Sequence, residues 1–432
     1  MNLKELLFGF KKLDFNYWFF VFVILMFGGG TKIFSNFDPR FQPFSFCMLL
    51  FFLLGIIVKS RNQVDYSILL LLLSFLFPWF IYHYYVDTSF QYGLYSIFFL
   101  QFLLGFFASF HYKGKLLVYF EKIVVTFAVL SLPFWIMECF FGKVWLAQFA
   151  PFDNPFDNGS SFIVYTTLER LDTSSRETFY YGLARNTGFT WEAGRFATAL
   201  VLAMSSHIVT HNGIKWKSWR FHVLLIALAT TLSTTGYACF IVLIGLHYLF
   251  TTKIHFGYRI FAILILCFFV SYIMGLSFMR NKIEYNINKT NWMTNNVTMY
   301  NEMSKKQDKI WCVDRTEGLF LDWLNLQYKP LLGTGLAHND TYLYKFISKD
   351  LTTSNGLLRP LSQLGLIIGI PFFVMLMYGI RRLSSHFNYS GINIIFIITI
   401  VIQYSYNFMF TSLFIALMCC SFAKKQKHIV IH

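Results

Sequence analysis

The chain has 432 residues, of which 56% are hydrophobic and only 13% are charged, and its formal net charge is +15. Soluble domains carry about 25% charged residues, so the composition excludes an ordinary soluble protein. The positive charge does not indicate nucleic-acid binding, because many of the Lys and Arg residues fall in short loops between apolar runs, where they set orientation in a membrane. The seven cysteines form no CxxC motif. They predict neither a disulfide framework nor a zinc site.

Apolar runs of membrane-spanning length recur along most of the chain. They predict an all-α, polytopic integral membrane protein with about twelve transmembrane helices. The predicted spans are 16–35, 42–58, 66–85, 93–110, 118–141, 187–209, 219–234, 236–251, 257–277, 355–379, 391–408 and 409–422. The last two spans are separated by a weak break at Tyr404 to Asn407.

Basic residues divide the loops into two sides of the membrane, since cytoplasmic loops are enriched in Lys and Arg. The short basic loops and both termini then lie in the cytoplasm, and both long polar stretches lie outside. The resulting regions are helices 1–5 in 1–141, a first external loop in 142–186, helices 6–9 in 187–277, a long external loop in 278–354, and helices 10–12 with a cytoplasmic tail in 355–432.

The two external loops carry local signals of their own. The near-repeat PFDNPFDN at 151–158 predicts turns. In the long loop, 313–327 alternates apolar and polar residues in a way that predicts an amphipathic helix lying on the membrane surface.

Three ionisable residues, Arg185, Glu192 and Arg195, stand where a long apolar segment begins. Charged groups are costly at membrane depth, and those that persist usually face a water-filled cavity and have a function there. Helical spacing would place Glu192 and Arg195 on one face. Arg185 would lie near that face only if the helix extends back past Gly188, which weakens a helix interior.

The predicted topology gathers a set of polar residues on the external side. They are Arg185, Glu192, Arg195, Arg315, His338, Asn355 and Arg359. Arginine presents a fork of donors that matches phosphate oxygens. We therefore expect Arg185, Arg195, Arg315 and Asn355 to bind a pyrophosphate, where arginines stabilise the charge on a leaving group. Paired acidic motifs for Mg²⁺ are not evident on that side, so a reaction without metal or cofactor is the hypothesis.

Three residues are candidates for the chemical step: Glu192, His338 and Arg359. Glu192 and His338 compete for the role of general base. Arg359 shares a four-residue spacing with Asn355 and Gln363, which would form one polar stripe if a single helix held all three. Pro360 weakens that reading, because proline favours the first turn of a helix.

Each of these residues also has a purely structural interpretation. Arg185 could snorkel at a helix end, Glu192 and Arg195 could form an ion pair at i,i+3 spacing, and Arg359 could be a strut between helices. Arg315 could bind a lipid phosphate from a surface helix, and His338 could be an ordinary loop residue.

Several motifs in order resemble the bacterial O-antigen polymerase and O-antigen ligase superfamily. They are RNTGFTWEAGRFA at 185–197, LSTTGYACFIVLIG at 232–245, RTEGL at 315–319, PLLGTG at 330–335 and SNGLLRPLSQLGLIIG at 354–369. The likeness covers about 180–380, and the first five spans match only in hydropathy.

The resemblance implies a glycosyltransferase of the bacterial inner membrane whose active site faces the periplasm. Its substrate would be an undecaprenyl-pyrophosphate-linked oligosaccharide within membrane lipid, and a chain-length regulator is a candidate partner. A polymerase would transfer the growing glycan onto a new carrier-linked repeat unit, whereas a ligase would transfer it to lipid A–core. The family is thought of as metal-independent, with arginines engaging the pyrophosphate.

One position in the sequence favours a polymerase over a ligase. Ligases resemble one another in a His-Asn pair just before the span that follows the long loop, and this chain has Ser354 and Asn355 there. Its own His338-Asn339 pair lies about sixteen residues earlier. A flippase of lipid-linked sugar is an alternative of another class, although the large external loop argues against it. A purely structural membrane partner leaves the arginines at the starts of the spans unexplained.

Overall fold

A computed structural model describes residues 15–31, 42–87, 91–153, 159–167, 183–250, 257, 260, 264, 311–312, 315–347, 351–353, 356–389 and 393–422. Most of the predicted ninth span, 257–277, lies outside the described residues, and so does the predicted pyrophosphate ligand Asn355.

Helices dominate the described residues. They are α1 Phe15–Gly28, α2 Gln42–Ser60, α3 Tyr66–Val86, α4 Tyr92–Tyr112, α5 Lys115–Phe141, α6 Lys143–Ala147, α7 Ala193–Thr210, α8 Trp219–Thr230, α9 Thr234–Phe250, α10 Arg315–Tyr328, α11 Arg359–His386, α12 Ile394–Gln403 and α13 Ser412–Cys419. Five of these helices, α2 to α5 and α11, are long and apolar enough to cross a membrane. The prediction of an all-α membrane protein is confirmed in that coarse form, while the count of twelve spans stays a prediction.

Two pairs of very short strands lie in the loop regions. β1 (Phe152–Asp153) pairs antiparallel with β2 (Ser160–Ser161). Most of the PFDNPFDN region that was predicted to turn, 154–158, lies outside the described residues. β3 (Trp311–Cys312) pairs in parallel with β4 (Leu351–Thr352). The second pair joins both ends of the segment that contains α10.

Helix α7 is the centre of the bundle. Every residue from Ala193 to Thr210 except Arg195 is buried, and the helix packs against α1, α5, α8, α9 and α12. Its sequence AGRFATALVLAMSSHIVT is rich in small residues, which let neighbouring helix backbones approach closely within a membrane.

The start of α7 differs from the predicted span at 187–209. The helix begins at Ala193, and residues 183–192 have no helical turn. Gly188 adopts φ +52°, and a side chain there would clash with the ring of Phe196. Arg185 therefore does not share a helix face with Glu192. Glu192 is the extended N-cap residue of α7 rather than a residue inside the helix.

Helix α11 is broken one and a half turns after it begins. Gly365 has φ +72° and ψ 173°, outside the helical region. The backbone groups that lose their helical hydrogen bonds at this break are bonded instead by residues 329–337, which we call the glycine loop. Thr334 N and Gly335 N donate to Ser362 O and Gln363 O, and Leu366 N donates to Pro330 O. Irregular backbone at a helix break is tolerated when neighbouring protein groups complete its hydrogen bonds.

The other side of the glycine loop contacts α3 and α4. His83 Nε2 lies 3.1 Å from Leu332 O, and Leu336 N donates to the Tyr95 hydroxyl at 3.1 Å. Both His83 and Tyr95 are buried and reach Asp87. The PLLGTG motif thus joins the broken part of α11 to the ends of two apolar helices.

Helix α10 confirms the predicted amphipathic helix, but its faces are oriented unexpectedly. Its polar residues Asp322 and Asn325 are buried against α11 and the loop that follows, whereas Phe320 and Trp323 are exposed. The helix therefore buries these two polar residues together with Leu321 and Leu326, and directs Phe320 and Trp323 outward.

Candidate functional site

Tyr406 is the residue around which four of the predicted site residues meet. It lies in the non-helical segment between α12 and α13, where the sequence showed only a weak break. Arg315 Nη2 donates to the Tyr406 hydroxyl at 2.8 Å, and the guanidinium stands 4.9 Å from the centre of the Tyr406 ring. This contact joins α10 of the long loop to the C-terminal part of the chain.

Glu192 is the acidic member of the same group. Its carboxylate lies 4.0 Å from Arg315 Nη2. Arg315 also donates to the Thr235 hydroxyl at 2.9 Å, at the start of α9. Gly194 is needed here, because a Cβ at that position would stand 2.3 Å from the Tyr406 hydroxyl oxygen. The N-terminus of α7 can approach Tyr406 only because it carries glycine.

Arg185 and Arg195 complete the group from two further directions. Arg185 Nε donates to Thr231 O at 3.2 Å, and its charge acts on Tyr406. Arg195 donates through both Nε and Nη2 to Phe27 O, at 3.2 and 2.8 Å, and its guanidinium stacks on Phe408 at 4.7 Å. Arg195 thereby caps the C-terminal end of α1, so it has a structural contact in addition to its place near Tyr406.

The Tyr406 cluster is defined by these residues: Arg185, Glu192, Arg195, Arg315 and Tyr406. It carries three guanidinium groups and one carboxylate, so positive charge is in excess. Its members come from three parts of the chain, namely the stretch 185–195, Arg315 and Tyr406, and Arg315 and Glu192 are partly accessible. An anion with several oxygens is the ligand that such a set of donors suits.

A second polar site, the Asp322 cleft, lies beneath α10. Its walls come from α10, the glycine loop, the segment after it and the start of α11. It is lined by Asp322, Asn325, Thr334, Leu336, His338, Thr341, Leu343, Thr353, Arg359, Ser362 and Gln363. Two of the predicted chemical residues, His338 and Arg359, therefore share one cleft.

One oxygen of Asp322 is engaged and the other is not. Oδ1 accepts hydrogen bonds from the Thr353 hydroxyl at 2.9 Å and from Asn325 Nδ2 at 3.5 Å. Among the described residues, Oδ2 has no hydrogen-bond partner although it is buried. Gln363 Oε1, on the opposite wall, is in the same state. Buried acceptors are normally satisfied, so this pair marks a place where a donor is missing.

Burial raises the pKa of the Asp322 carboxyl to about 7, while the Arg359 charge and the hydrogen bonds from Thr353 and Asn325 act in the opposite direction. Burial disfavours the charged form of a carboxyl, and a nearby cation restores part of its stability. A carboxyl that titrates near neutral pH has the property required of a general base.

Arg359 stands at the first position of α11, followed by Pro360 as the sequence predicted. Its Nη1 donates to Thr353 O. Residues 356–358 are not helical, so no single helix carries Asn355, Arg359 and Gln363, and that predicted stripe is wrong.

The two sites are adjacent. Gly356, three residues before Arg359, donates its N–H to Gln403 O at 2.7 Å. A Cβ on Gly356 would stand 2.2 Å from Tyr406 O. The chain thus passes from the Tyr406 cluster to the Asp322 cleft within a few residues.

The structure groups six of the seven predicted residues into these two sites. The Tyr406 cluster holds Arg185, Glu192, Arg195 and Arg315, and the Asp322 cleft holds His338 and Arg359. The seventh, Asn355, lies outside the described residues. His338 opens a short 3-10 turn, and its ring stands 5.4 Å from the ring of Tyr344.

Sequence reasoning missed Asp322 and Tyr406. Asp322 belongs to the predicted amphipathic helix, and nothing in its local sequence shows that the structure buries it. Tyr406 carried no signal either, because its role depends on contacts with residues 91 and more positions away.

Within the part of the chain that the structure describes, one group of side chains could hold a metal ion, and it lies at the other end of α7. Glu121, His207 and His211 bring one ligand atom each within 4.8 Å of one another. His207 Nδ1 lies 2.9 Å from Glu121 Oε1, and Arg220 stands 3.8 Å from the same oxygen. The arginine offsets the carboxylate charge that a cation would need. The group is separated from the Tyr406 cluster by the length of α7.

The fold and the two sites define a helical membrane protein with a cationic cluster beside a buried acid. The chain matches no protein-family model, and no curated protein matches it. Any assignment of function to this chain therefore depends on its own residues and geometry.

Proposed function

We propose that the protein is a metal-independent membrane glycosyltransferase of the O-antigen polymerase type. It would transfer a growing glycan from undecaprenyl pyrophosphate onto a new carrier-linked repeat unit. The observation that carries the proposal is the Tyr406 cluster, in which Arg185, Glu192 and Arg195 of one stretch meet Arg315 of the long loop. Such a cluster can bind a diphosphate and stabilise the charge that develops on it as the sugar leaves.

The location of the cluster supports this reaction class. Glu192 precedes the central helix α7, and Arg315 begins α10, so both charged groups stand at the ends of helices. A lipid-linked substrate would present its pyrophosphate at such a level while its polyprenyl chain stays in the bilayer. The proposed setting is the bacterial inner membrane, with the cluster facing the periplasm.

Within this function, Arg185 and Arg315 would bind the pyrophosphate, with Arg195 holding the end of α1 in place as well as adding charge. Arg359 would act from the adjacent cleft. Glu192 is the acidic partner of Arg315 and would orient its guanidinium group both with and without bound substrate. The proposed partners are the carrier-linked oligosaccharide and membrane lipid, with a chain-length regulator as a further candidate.

The test of the function is the lipopolysaccharide of a strain that lacks the protein. Loss of a polymerase leaves core bearing one repeat unit, whereas loss of a ligase leaves bare core. Loss of a flippase also leaves bare core, but repeat units then accumulate on the cytoplasmic side, where an externally added glycosidase does not reach them. Unchanged lipopolysaccharide would contradict every form of the proposal.

Arginine variants connect the phenotype to the cluster. Arg315→Ala and Arg185→Ala are expected to lower polymer formation by at least about 100-fold, because each removes charge-assisted donors from the leaving group. Arg382→Ala is the matched control, since Arg382 also donates to a backbone carbonyl, Ser421 O at 2.7 Å, but at the far end of α11. Equal loss in all three variants would indicate a general folding defect rather than a role in the reaction.

A further inference from the structure

The structure offers an acceptor for the proton that a glycosyl transfer releases. We propose that Asp322 is the general base of the reaction and that it accepts the proton of an acceptor-sugar hydroxyl group that enters its cleft. The inference rests on the proposed function, and it replaces Glu192 and His338 as candidates for the base.

The first argument is the pairing of two unsatisfied acceptors in one cleft. Among the described residues, Asp322 Oδ2 and Gln363 Oε1 are buried without a hydrogen-bond partner. Asp322 is 1% exposed and Gln363 is 8% exposed. A buried acceptor without a donor costs free energy that a ligand can recover by supplying one. A sugar hydroxyl group is a hydrogen-bond donor, so one that enters the cleft can supply a missing hydrogen bond.

The second argument is that Asp322 is held in one orientation. Thr353 and Asn325 fix Oδ1, which leaves Oδ2 as the available basic atom. Asn325 is fixed in turn, because its Oδ1 accepts from Leu343 N at 3.2 Å. Thr353 also supplies the carbonyl to which Arg359 donates. A base whose orientation is set by neighbouring hydrogen bonds is what proton abstraction requires.

The groups that face Asp322 set its titration. Arg359 from α11 is the cation beside it, and His338 from the 3-10 turn lines the same cleft. Burial raises the pKa of the carboxyl to about 7, and Arg359 limits that rise. At neutral pH the carboxylate form is therefore present and basic enough to accept a proton.

The proposed step balances as follows. The acceptor hydroxyl oxygen forms a bond to the anomeric carbon of the donor sugar, and its proton passes to Asp322 Oδ2. The bond between that carbon and the pyrophosphate oxygen breaks, and its electron pair leaves with the undecaprenyl pyrophosphate. The Tyr406 cluster stabilises the departing diphosphate, while the protonated Asp322 returns its proton to water. No oxidant, reductant or metal takes part.

Glu192 is the less suitable base because its carboxylate lies 4.0 Å from Arg315 within the cationic cluster. There it would face the diphosphate of the leaving group. Asp322 stands in the neighbouring cleft, where the second substrate of the transfer would bind. The Tyr406 cluster would therefore stabilise the leaving group, and the Asp322 cleft would activate the acceptor hydroxyl group.

The experiment uses the full chain in liposomes with purified undecaprenyl-pyrophosphate-linked repeat units, and measures the rate of elongation from pH 5 to pH 9. For the wild type we expect the rate to rise with pH and level off above about pH 7. Asp322→Asn preserves size and should lower the rate by at least about 100-fold. Thr353→Val keeps the carbonyl used by Arg359 but removes a hydrogen bond to the carboxylate, so its profile should move to higher pH.

The outcomes separate the base from the function. If the wild type elongates while Asp322→Asn keeps its rate, or Thr353→Val leaves the pH profile in place, Asp322 is not the base and the proposed function stands. If the wild type does not elongate the repeat units, the proposed function fails and the inference fails with it. Loss of rate in Asp322→Asn together with a shifted Thr353→Val profile supports the proposal, since a purely structural role would not move the profile.

Discussion

Two buried carboxylates, Asp87 and Asp322, lie on opposite sides of the glycine loop and differ in how they are satisfied. Asp87 Oδ1 lies 3.0 Å from His83 Nδ1 and 3.8 Å from Lys329 Nζ, and its Oδ2 accepts from the Tyr95 hydroxyl at 3.2 Å. Asp322 has donors on Oδ1 alone. The first carboxylate has partners on both oxygens, whereas the second retains one oxygen for another molecule.

The difference separates a structural acid from a candidate catalytic one. Burying a charge costs several kcal/mol unless partners compensate, so a fully paired carboxylate is explained by the stability of what it joins. Asp87 joins α3, α4 and the glycine loop. The open oxygen of Asp322 has no such explanation within the described residues, and it faces a cleft that contains Arg359.

The largest expected effect is loss of stability when Asp87 is removed. Asp87→Ala leaves His83, Tyr95 and Lys329 without their shared partner, and breaking a buried pair of this kind costs about 4 kcal/mol. Thermal unfolding in detergent would measure it. Asp65→Ala is the control, because Asp65 is an exposed N-cap that accepts from Ser67 N, and its loss costs about 1 kcal/mol. Similar unfolding temperatures for the two variants would remove the distinction drawn here.

The next effect tests whether the glycine loop connects the two carboxylates. Gly333→Ala should cost about 3 kcal/mol, because Gly333 has φ +73° and a Cβ would stand 2.3 Å from Gln363 O. Gly142→Ala has a comparable φ of +80° with no atom within 4 Å, so it measures the backbone strain alone, about 2 kcal/mol. We expect Gly333→Ala to lower elongation as well, since the break in α11 that carries Gln363 depends on the loop. An elongation rate equal to that of Gly142→Ala would show that the loop does not shape the cleft.

The third effect concerns pH and follows from the burial of Asp322. The Asp322 carboxyl has a pKa of about 7 in the folded protein, above its ordinary 3.8. The folded state then holds the proton more tightly than the unfolded state, so the stability contributed by this group is greatest at low pH and falls as pH rises towards 7. Between pH 5 and pH 8 the loss is about 3 kcal/mol.

Asp322→Asn should remove the pH-dependent contribution of this carboxyl group to the free energy of unfolding. The variant should therefore be more stable than the wild type at pH 8 and no more stable at pH 4. Unfolding midpoints measured in detergent across that range check the prediction. A wild-type midpoint that rises with pH, or a variant that keeps the same slope as the wild type, would be evidence that Asp322 stays charged in the folded protein.

Much of the fold was predictable from sequence, because hydrophobic runs and breakers are local signals. The helices α2 to α5 end within a few residues of their predicted spans, and Gly188 did interrupt the helix that Arg185 would otherwise join. Predictions failed where a nonlocal contact decided the structure. The break at Gly365 depends on a loop about thirty residues earlier, and nothing in the apolar run SQLGLIIG shows that its carbonyls bind Thr334 and Gly335.

The candidate site was predictable only in part, for the same reason. Arginines at the starts of apolar segments are visible in a sequence, and four of the predicted residues do surround one hydroxyl. A sequence does not show which oxygen of a carboxylate lacks a donor. In Asp322 this depends on Asn325, one helical turn away, and on Thr353, which is distant in the chain. The sequence could therefore indicate the phosphate-binding half of the reaction but not the base.

The smallest expected effect belongs to Lys329, the partly exposed member of the Asp87 network. Its Nζ lies 3.8 Å from Asp87 Oδ1, and the side chain is 16% exposed. Since Asp87 retains His83 and Tyr95, Lys329→Met should cost no more than about 1 kcal/mol, the upper range for a solvent-screened pair. The cost should also shrink in high salt, which screens accessible charges. A loss as large as that of Asp87→Ala would mean that the lysine, rather than the histidine and tyrosine, compensates the buried carboxylate, and Asp87 would then be stabilised chiefly by charge instead of by hydrogen bonds.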